Sequence, residues 1–315
     1  MYLIAQNSLK KIRTAVNDFL FGEGHFERLG LFRFLIFAVM FYIACSRQLN
    51  VDQYGPTALI PGSQALDVFS DFYKPYIKLF FWPDQLASMV HMSYIALLAL
   101  ATLGLSNRPL MILTWVIAQG FIQRNFSILF GADVIGTLFM FYLSFTRCNE
   151  YFSLRRLFSK KKVTFNPKSW SDQLSTMAFR LLQIQLFTIY AYTGFEKLKG
   201  STWWDGTALW TVLVNPQFTS FDLLFLKDFP IFFAIGTFVT IIFEVYFWVM
   251  VSIKTTRPLW LMLGVLFHLM IGVLLGLMTF SIVMISTYVL FAYRTNLIHY
   301  LEKALPKNLQ KLISL

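Results

Sequence analysis

The sequence predicts an all-α fold, a polytopic transmembrane helical bundle of about eight spans with both termini cytoplasmic. Three observations lead there. Of the 315 residues, 57% are hydrophobic and 14% charged, where soluble domains carry about 25% charged residues. Apolar runs approaching the ~20 residues of a membrane crossing recur along the whole chain. Lys and Arg gather in short blocks between these runs. The net charge of +11 therefore marks one side of a membrane rather than nucleic-acid affinity.

Residues 1–28 are expected to form an amphipathic interfacial segment. Leu3, Ile4, Leu9, Ile12, Val16, Phe19 and Leu20 recur at helical spacing among Asn7, Lys10, Lys11, Arg13 and Asp18. No continuous apolar stretch marks a cleaved signal peptide. The transmembrane bundle covers 29–295, with runs at 29–46, 85–105, 109–123, 132–146, 174–194, 230–252, 258–275 and 277–293. A basic cytoplasmic tail, 296–315, follows, and no soluble domain is expected at either end.

Loop charges orient the bundle. Segment 146–172 carries Arg147, Arg155, Arg156, Lys160, Lys161, Lys162 and Lys168 against Glu150 and Asp172, which makes it cytoplasmic. The N-terminal stretch, Arg108, Lys254 with Arg257, and the tail then share that side. Segments 47–84 and 195–229 face outward, and the Gly, Pro and aromatic content of the first suits interfacial helices or a lid. Cys45 and Cys148 end on opposite faces, so no disulfide is expected between them. His25, His91, His268 and His299 show no metal-ligand spacing, and no metal is expected.

Ionisable residues inside apolar spans are costly and face an interior or a cavity. Arg33, His91, Asp133, Arg180, Glu244 and His268 are of this kind, with Gln183 and Gln185 beside Arg180. Arg33, Arg180 and Glu244 suit structural ion pairs or snorkelling. The topology puts Asp133 and Lys197 near the outer leaflet and His268 near mid-span. Converging on one outward cavity, the three would form acid–base equipment. The stretch Tyr190–Trp210, YAYTGFEKLKGSTWWDGTALW, changes from apolar helix to polar loop at this level. Lysine and tryptophan there equally suit an anchor that sets the depth of a helix end.

At YTGFEKLKGSTWWDG the chain resembles the vitamin K-dependent gamma-carboxylase-like membrane family, also called the HTTM family. FHLMIGVLLGLMTFSIVM at 267–284 resembles that family's histidine-bearing helix. RNFSILFGADVIGTLFMFYLSF from Arg124, followed by Ser153, and LGLFRFLIF around Arg33 extend the similarity over most of 28–295. The resemblance implies that Lys197 is a base, the residue that deprotonates vitamin K hydroquinone in the animal carboxylases. There the oxygenated quinol removes a glutamate gamma-proton and the carbanion captures carbon dioxide. His268 would stabilise the oxygen-bearing intermediate, and Asp133 stands where those enzymes carry a histidine. Tyr190, Trp203 and Trp204 would border the cofactor, with Gly206 in the structural part of the loop.

Glu196 replaces a second basic residue, and a neighbouring anion favours the charged form of a lysine. The large extramembrane domain of the animal enzymes is not among these 315 residues, which points away from glutamate carboxylation itself. The implied reading is a protein of the bacterial cytoplasmic (inner) membrane with a lysine base acting on a quinone-like or peptide substrate. Its chemistry would be that of a carbon–carbon lyase or quinone-linked redox, with a reduced quinone such as vitamin K hydroquinone as cofactor. Its partners would be membrane lipid and a secreted peptide or protein. A non-catalytic helper for maturation or export of a secreted peptide is the alternative. A transporter would show internal repeats or paired broken helices, and neither is visible.

Overall fold

The computed structural model describes residues 14, 16–17, 19–21, 26–124, 129–159, 163–217, 219, 221, 223–306 and 309–310. The described residues form helices and turns without a strand. Eight helices coincide with the eight apolar runs: α1 Phe26–Arg47, α2 Ala87–Leu103, α3 Arg108–Arg124, α4 Gly131–Ser144, α5 Trp170–Lys197, α6 Pro230–Ser252, α7 Arg257–Leu274 and α8 Met278–Thr287. Four stretches are long and apolar enough to cross a membrane: α1, Lys74–Leu103, α6 and α7. Of the expected amphipathic segment, residues 14, 16–17 and 19–21 are helical; positions 1–13, 15, 18 and 22–25 lie outside the described residues. So do 125–128, Lys160–Lys162 and the last five positions of the tail.

The chain divides into two units, residues 1–182 with 292–315, and residues 183–291. In the first, α1 is the core element. Leu29, Phe32, Ile36 and Phe37 are fully buried, against α2 and α4. On the same helix Arg33 is also fully buried. Its guanidinium donates to the carbonyls of Ala101 at 2.6 Å and Thr102 at 3.0 Å, and to that of Phe152. Ala101 and Thr102 belong to the last turn of α2, whose carbonyls lack intrahelical partners and carry the negative end of the helix dipole. Phe152 holds a left-handed φ of 48° that turns its carbonyl to the same cation. One arginine thus joins α1, α2 and the loop after α4.

Four further arginines make contacts within this unit. Arg124, at the end of α3, pairs with Asp84 and donates to the Tyr54 carbonyl at 3.1 Å, tying the segment after α1 to the bundle. Arg147 pairs with Asp172, while Arg108 donates to the Ser171 hydroxyl at 2.9 Å. Arg180 reaches the Phe19 carbonyl at 3.0 Å. Both cysteines are free thiols, Cys45 exposed and Cys148 buried.

The second unit is built from the end of α5 with α6, α7 and α8. Gln183 donates to the Leu290 carbonyl at 2.9 Å, closing α5 onto the turn after α8. The short helices Ser201–Trp204 and Ala208–Leu213 dock on α6, where Thr237 Oγ1 accepts from Leu209 N at 3.1 Å and donates to the Gly206 carbonyl at 3.2 Å. The outer faces of α6 and α7 expose Ile231, Phe232, Ile235, Val239, Leu259, Met262, Leu266 and Val273. Continuous apolar stripes of this extent call for an apolar solvent, and lipid chains supply it.

Replacing Arg33 by Met removes the side-chain donor of the Thr102 and Phe152 carbonyls, while the Ala101 carbonyl keeps the Gly104 amide. The variant is expected to lose about 3 kcal/mol, from ~1–3 kcal/mol for each unsatisfied polar group offset by the removal of a buried charge. Thermal unfolding in detergent measures it, and a variant as stable as the parent contradicts this role.

Candidate functional site

Lys197 is the last residue of α5, where a cation complements the carboxyl end of the helix dipole. Gly194, one turn earlier, lets α6 approach closely: a Cβ at this position would lie 2.9 Å from the backbone nitrogen of Val245. That closeness brings Lys197 Nζ to 2.7 Å from Glu244 Oε2. The Lys197 side chain is 22% exposed and that of Glu244 7%, so the pair is largely withdrawn from water. The Trp203 ring covers the ammonium, its centroid 5.3 Å from Nζ, in a cation–π contact. Glu196, the neighbour in sequence, instead pairs with exposed Lys199 at 2.6 Å. The anion beside Lys197 comes from α6.

Tyr190 lies seven residues before Lys197, two helical turns back on the same face. It is buried, with its ring stacked on Phe247 at 3.9 Å between centroids. Its hydroxyl is 2.6 Å from His268 Nε2 on α7 and 2.6 Å from the Tyr288 hydroxyl after α8. Gly264 makes room for Tyr288; a Cβ there would meet the phenolic oxygen at 2.3 Å. The three groups form a chain, Tyr288–Tyr190–His268, that can run in either sense. If Tyr190 donates to Nε2, His268 carries its proton on Nδ1; if Nε2–H donates, Nδ1 presents a lone pair. In both senses Nδ1 is buried without a hydrogen-bond partner, and so is the hydroxyl of Ser281 on α8. Phe267 and Phe280 flank the imidazole at 5.2 and 5.7 Å.

Trp204 is 62% exposed and donates through Nε1 to the Leu198 carbonyl at 2.7 Å, which braces the turn after α5. Further along, Thr207 donates through its amide and hydroxyl to Asp205, holding that carboxyl below its ordinary pKa.

Asp133 belongs to the first unit, whereas Lys197 and His268 belong to the second. Its two oxygens accept from Arg47 at 2.7 Å each, and Oδ2 also accepts from the Phe130 amide at 3.0 Å, capping α4. Ser153 is buried with its hydroxyl on the Asn149 carbonyl at 2.8 Å. The structure thus brings together Lys197 with Trp203, and Tyr190 with His268, and gives Asp133 partners of its own. Sequence reasoning missed Tyr288 and the pairing of Glu244 with Lys197. One acid within an apolar span and one base at the end of another was the available signal for that pair. Tyr288 carried none, since a tyrosine near a helix end is ordinary in a membrane protein.

Comparison with known proteins gives the family. The model of the HTTM domain family matches residues 125–295, more than half of the chain. The Sporulation-delaying protein SdpB of Bacillus subtilis (strain 168) is 28% identical over 207 residues, 63% of this chain and 62% of that protein. The match therefore spans less than two thirds of that relative's length. No solved structure matches the chain. The matched region holds α4 through α8, with Lys197, Glu244, His268 and Tyr288 inside it, and the chain belongs to the HTTM family.

Proposed function

We propose that this chain is a multi-pass protein of the bacterial cytoplasmic membrane whose second unit handles protons for a quinone-like or peptide substrate, with Lys197 as the base. The observation that carries the reading is the 2.7 Å Lys197–Glu244 contact on the same face of α5 as the Tyr190–His268–Tyr288 chain. In apolar surroundings such a pair has two accessible forms, ammonium with carboxylate and amine with carboxylic acid. In the second form Lys197 accepts a proton from a substrate O–H while Glu244 remains neutral. Trp203 covers the Lys197 nitrogen and keeps bulk water from it. The hydroxyls of Tyr190 and Tyr288 move a proton to or from His268 by reversing the hydrogen bonds along the chain. Eight spans with both termini cytoplasmic is the matching topology, supported by the eight helices that coincide with the apolar runs.

A reduced quinone such as vitamin K hydroquinone, the cofactor implied by the family, would supply oxygen-dependent redox chemistry when bound. The residues present fit such a group. His268 Nδ1 is a buried polar atom in want of a partner, and Phe243, Phe267 and Phe280 offer apolar ring faces near it. Tyr190 and Trp203 are the further residues that would hold it, with Trp204 bracing the turn. Gamma-carboxylation would be the lyase form of this chemistry.

A second reading is favoured by the same ion pair. Glu244 stabilises Lys197 as an ammonium, and an ammonium is a docking group for a carboxylate rather than a base. In that form the protein is a non-catalytic membrane helper for maturation or export of a secreted peptide. The similarity to a protein named for delaying sporulation is compatible with either reading.

Two experiments separate them. Native mass spectrometry with quinone and lipid extraction, on gently purified protein, is expected to find a quinone in the parent and none in Lys197→Ala. A phospholipid or peptide retained equally by both favours the helper. Glu244→Gln is expected to destabilise the protein by about 1–3 kcal/mol, because it leaves a partly buried ammonium beside a neutral amide. The double variant Lys197→Met with Glu244→Gln should regain part of that loss in thermal unfolding; additive losses would show that the two charges are not coupled.

A further inference from the structure

The first unit contains a polar centre that the Lys197 reading does not use. A largely enclosed cavity of about 20 Å³ lies among α1, α2, α3 and α4, beneath Tyr54 of the segment after α1. One wall is the Arg47–Asp133 pair. Tyr54, His91, Tyr94 and Thr137 are the other lining residues with polar side-chain groups. The Tyr54 hydroxyl, His91 Nδ1 and the Thr137 hydroxyl are buried and make no hydrogen bond among the described residues, in residues 3%, 2% and 1% exposed respectively. Phe121 closes the apolar side, with its ring 4.9 Å from that of Tyr54 and 5.1 Å from His91.

We infer that this cavity is a binding site for internal water, one molecule or a closely spaced pair, shared by Tyr54, His91 and Thr137. Each unsatisfied buried polar group costs about 1–3 kcal/mol, and three facing one small space are satisfied by a molecule that donates twice and accepts twice. Size sets the class of ligand. One water needs roughly 10–15 Å³ on this measure, so the space holds a water or two and excludes a quinone ring or an amino-acid side chain. Charge agrees. Arg47 and Asp133 neutralise one another through two 2.7 Å hydrogen bonds, leaving no net charge to draw in a free ion. The result is a hydrated, ionisable cluster among packed apolar helices. Bound water gives His91 Nδ1 a hydrogen-bond partner.

Water-edited solid-state NMR of the full chain in lipid bilayers, with labelled histidine, tests this directly. His91 is assigned by loss of its signal in His91→Phe. Magnetisation is expected to pass from water to the His91 ring at early mixing times; a ring that receives none while exposed His299 does would overturn the proposal. Thr137→Val adds an independent test by sign. With water bound, the variant loses a satisfied hydrogen bond, and its melting temperature should fall by about 2–4 °C, with Thr137→Ser restoring much of it. A melting temperature that rises in Thr137→Val would mean that the hydroxyl was unsatisfied and the cavity dry, which also overturns it.

Discussion

Two opposite charges 2.7 Å apart, Lys197 at the end of α5 and Glu244 within α6, are the contact around which the second unit is arranged. Neither charge is affordable alone in apolar surroundings, so their meeting sets how α5 and α6 align. Gly194 permits the approach, Phe243 and Phe247 continue the packing along α6, and Tyr190 on the same stripe of α5 stacks on Phe247 and meets Phe243 edge-on. From Tyr190 the polar contacts extend to His268 on α7 and to Tyr288 after α8. A chain of paired polar groups therefore links all four helical segments of this unit. That chain is also its candidate chemistry.

The first unit obeys the same constraint with different residues. Where helix ends leave carbonyls exposed to an apolar interior, an arginine supplies the donors: Arg33 at the end of α2, Arg124 at the turns that precede it. Asp133 answers both Arg47 and the first turn of α4. Arginine suits these positions because its planar fork of donors satisfies several acceptors from one buried stem. Of these arginines, Arg33 reads in sequence as a charge inside an apolar run. In the structure they are the joints of the fold.

Much of the fold was legible in the chain. The eight apolar runs match eight helices because a continuous apolar stretch has only one way to satisfy its backbone in lipid. The polar transition after Tyr190 was visible, as was the weight carried by Lys197 and His268. Tertiary pairing was not. The acid beside Lys197 looked like Glu196, its sequence neighbour, yet residues one apart on a helix point to different faces, and the partner came from a helix 47 positions away. The cation that Asp133 holds within its own unit, Arg47, was likewise not legible, since it comes from a helix 86 positions away in sequence. The interior cavity bordered by Tyr54, His91 and Thr137 had no sequence signature, since it exists only once α1 to α4 are packed.

The most direct test of the central claim is photo-crosslinking in membranes with a photoreactive hydroquinone, followed by mapping of the labelled peptides. The account predicts label on Tyr190–Trp204 or on 267–288, competed by excess unlabelled hydroquinone and lost in Lys197→Ala. Label spread over the exposed faces of α6 and α7, unaffected by competitor or by the substitution, would contradict it and leave Lys197 as a charged anchor.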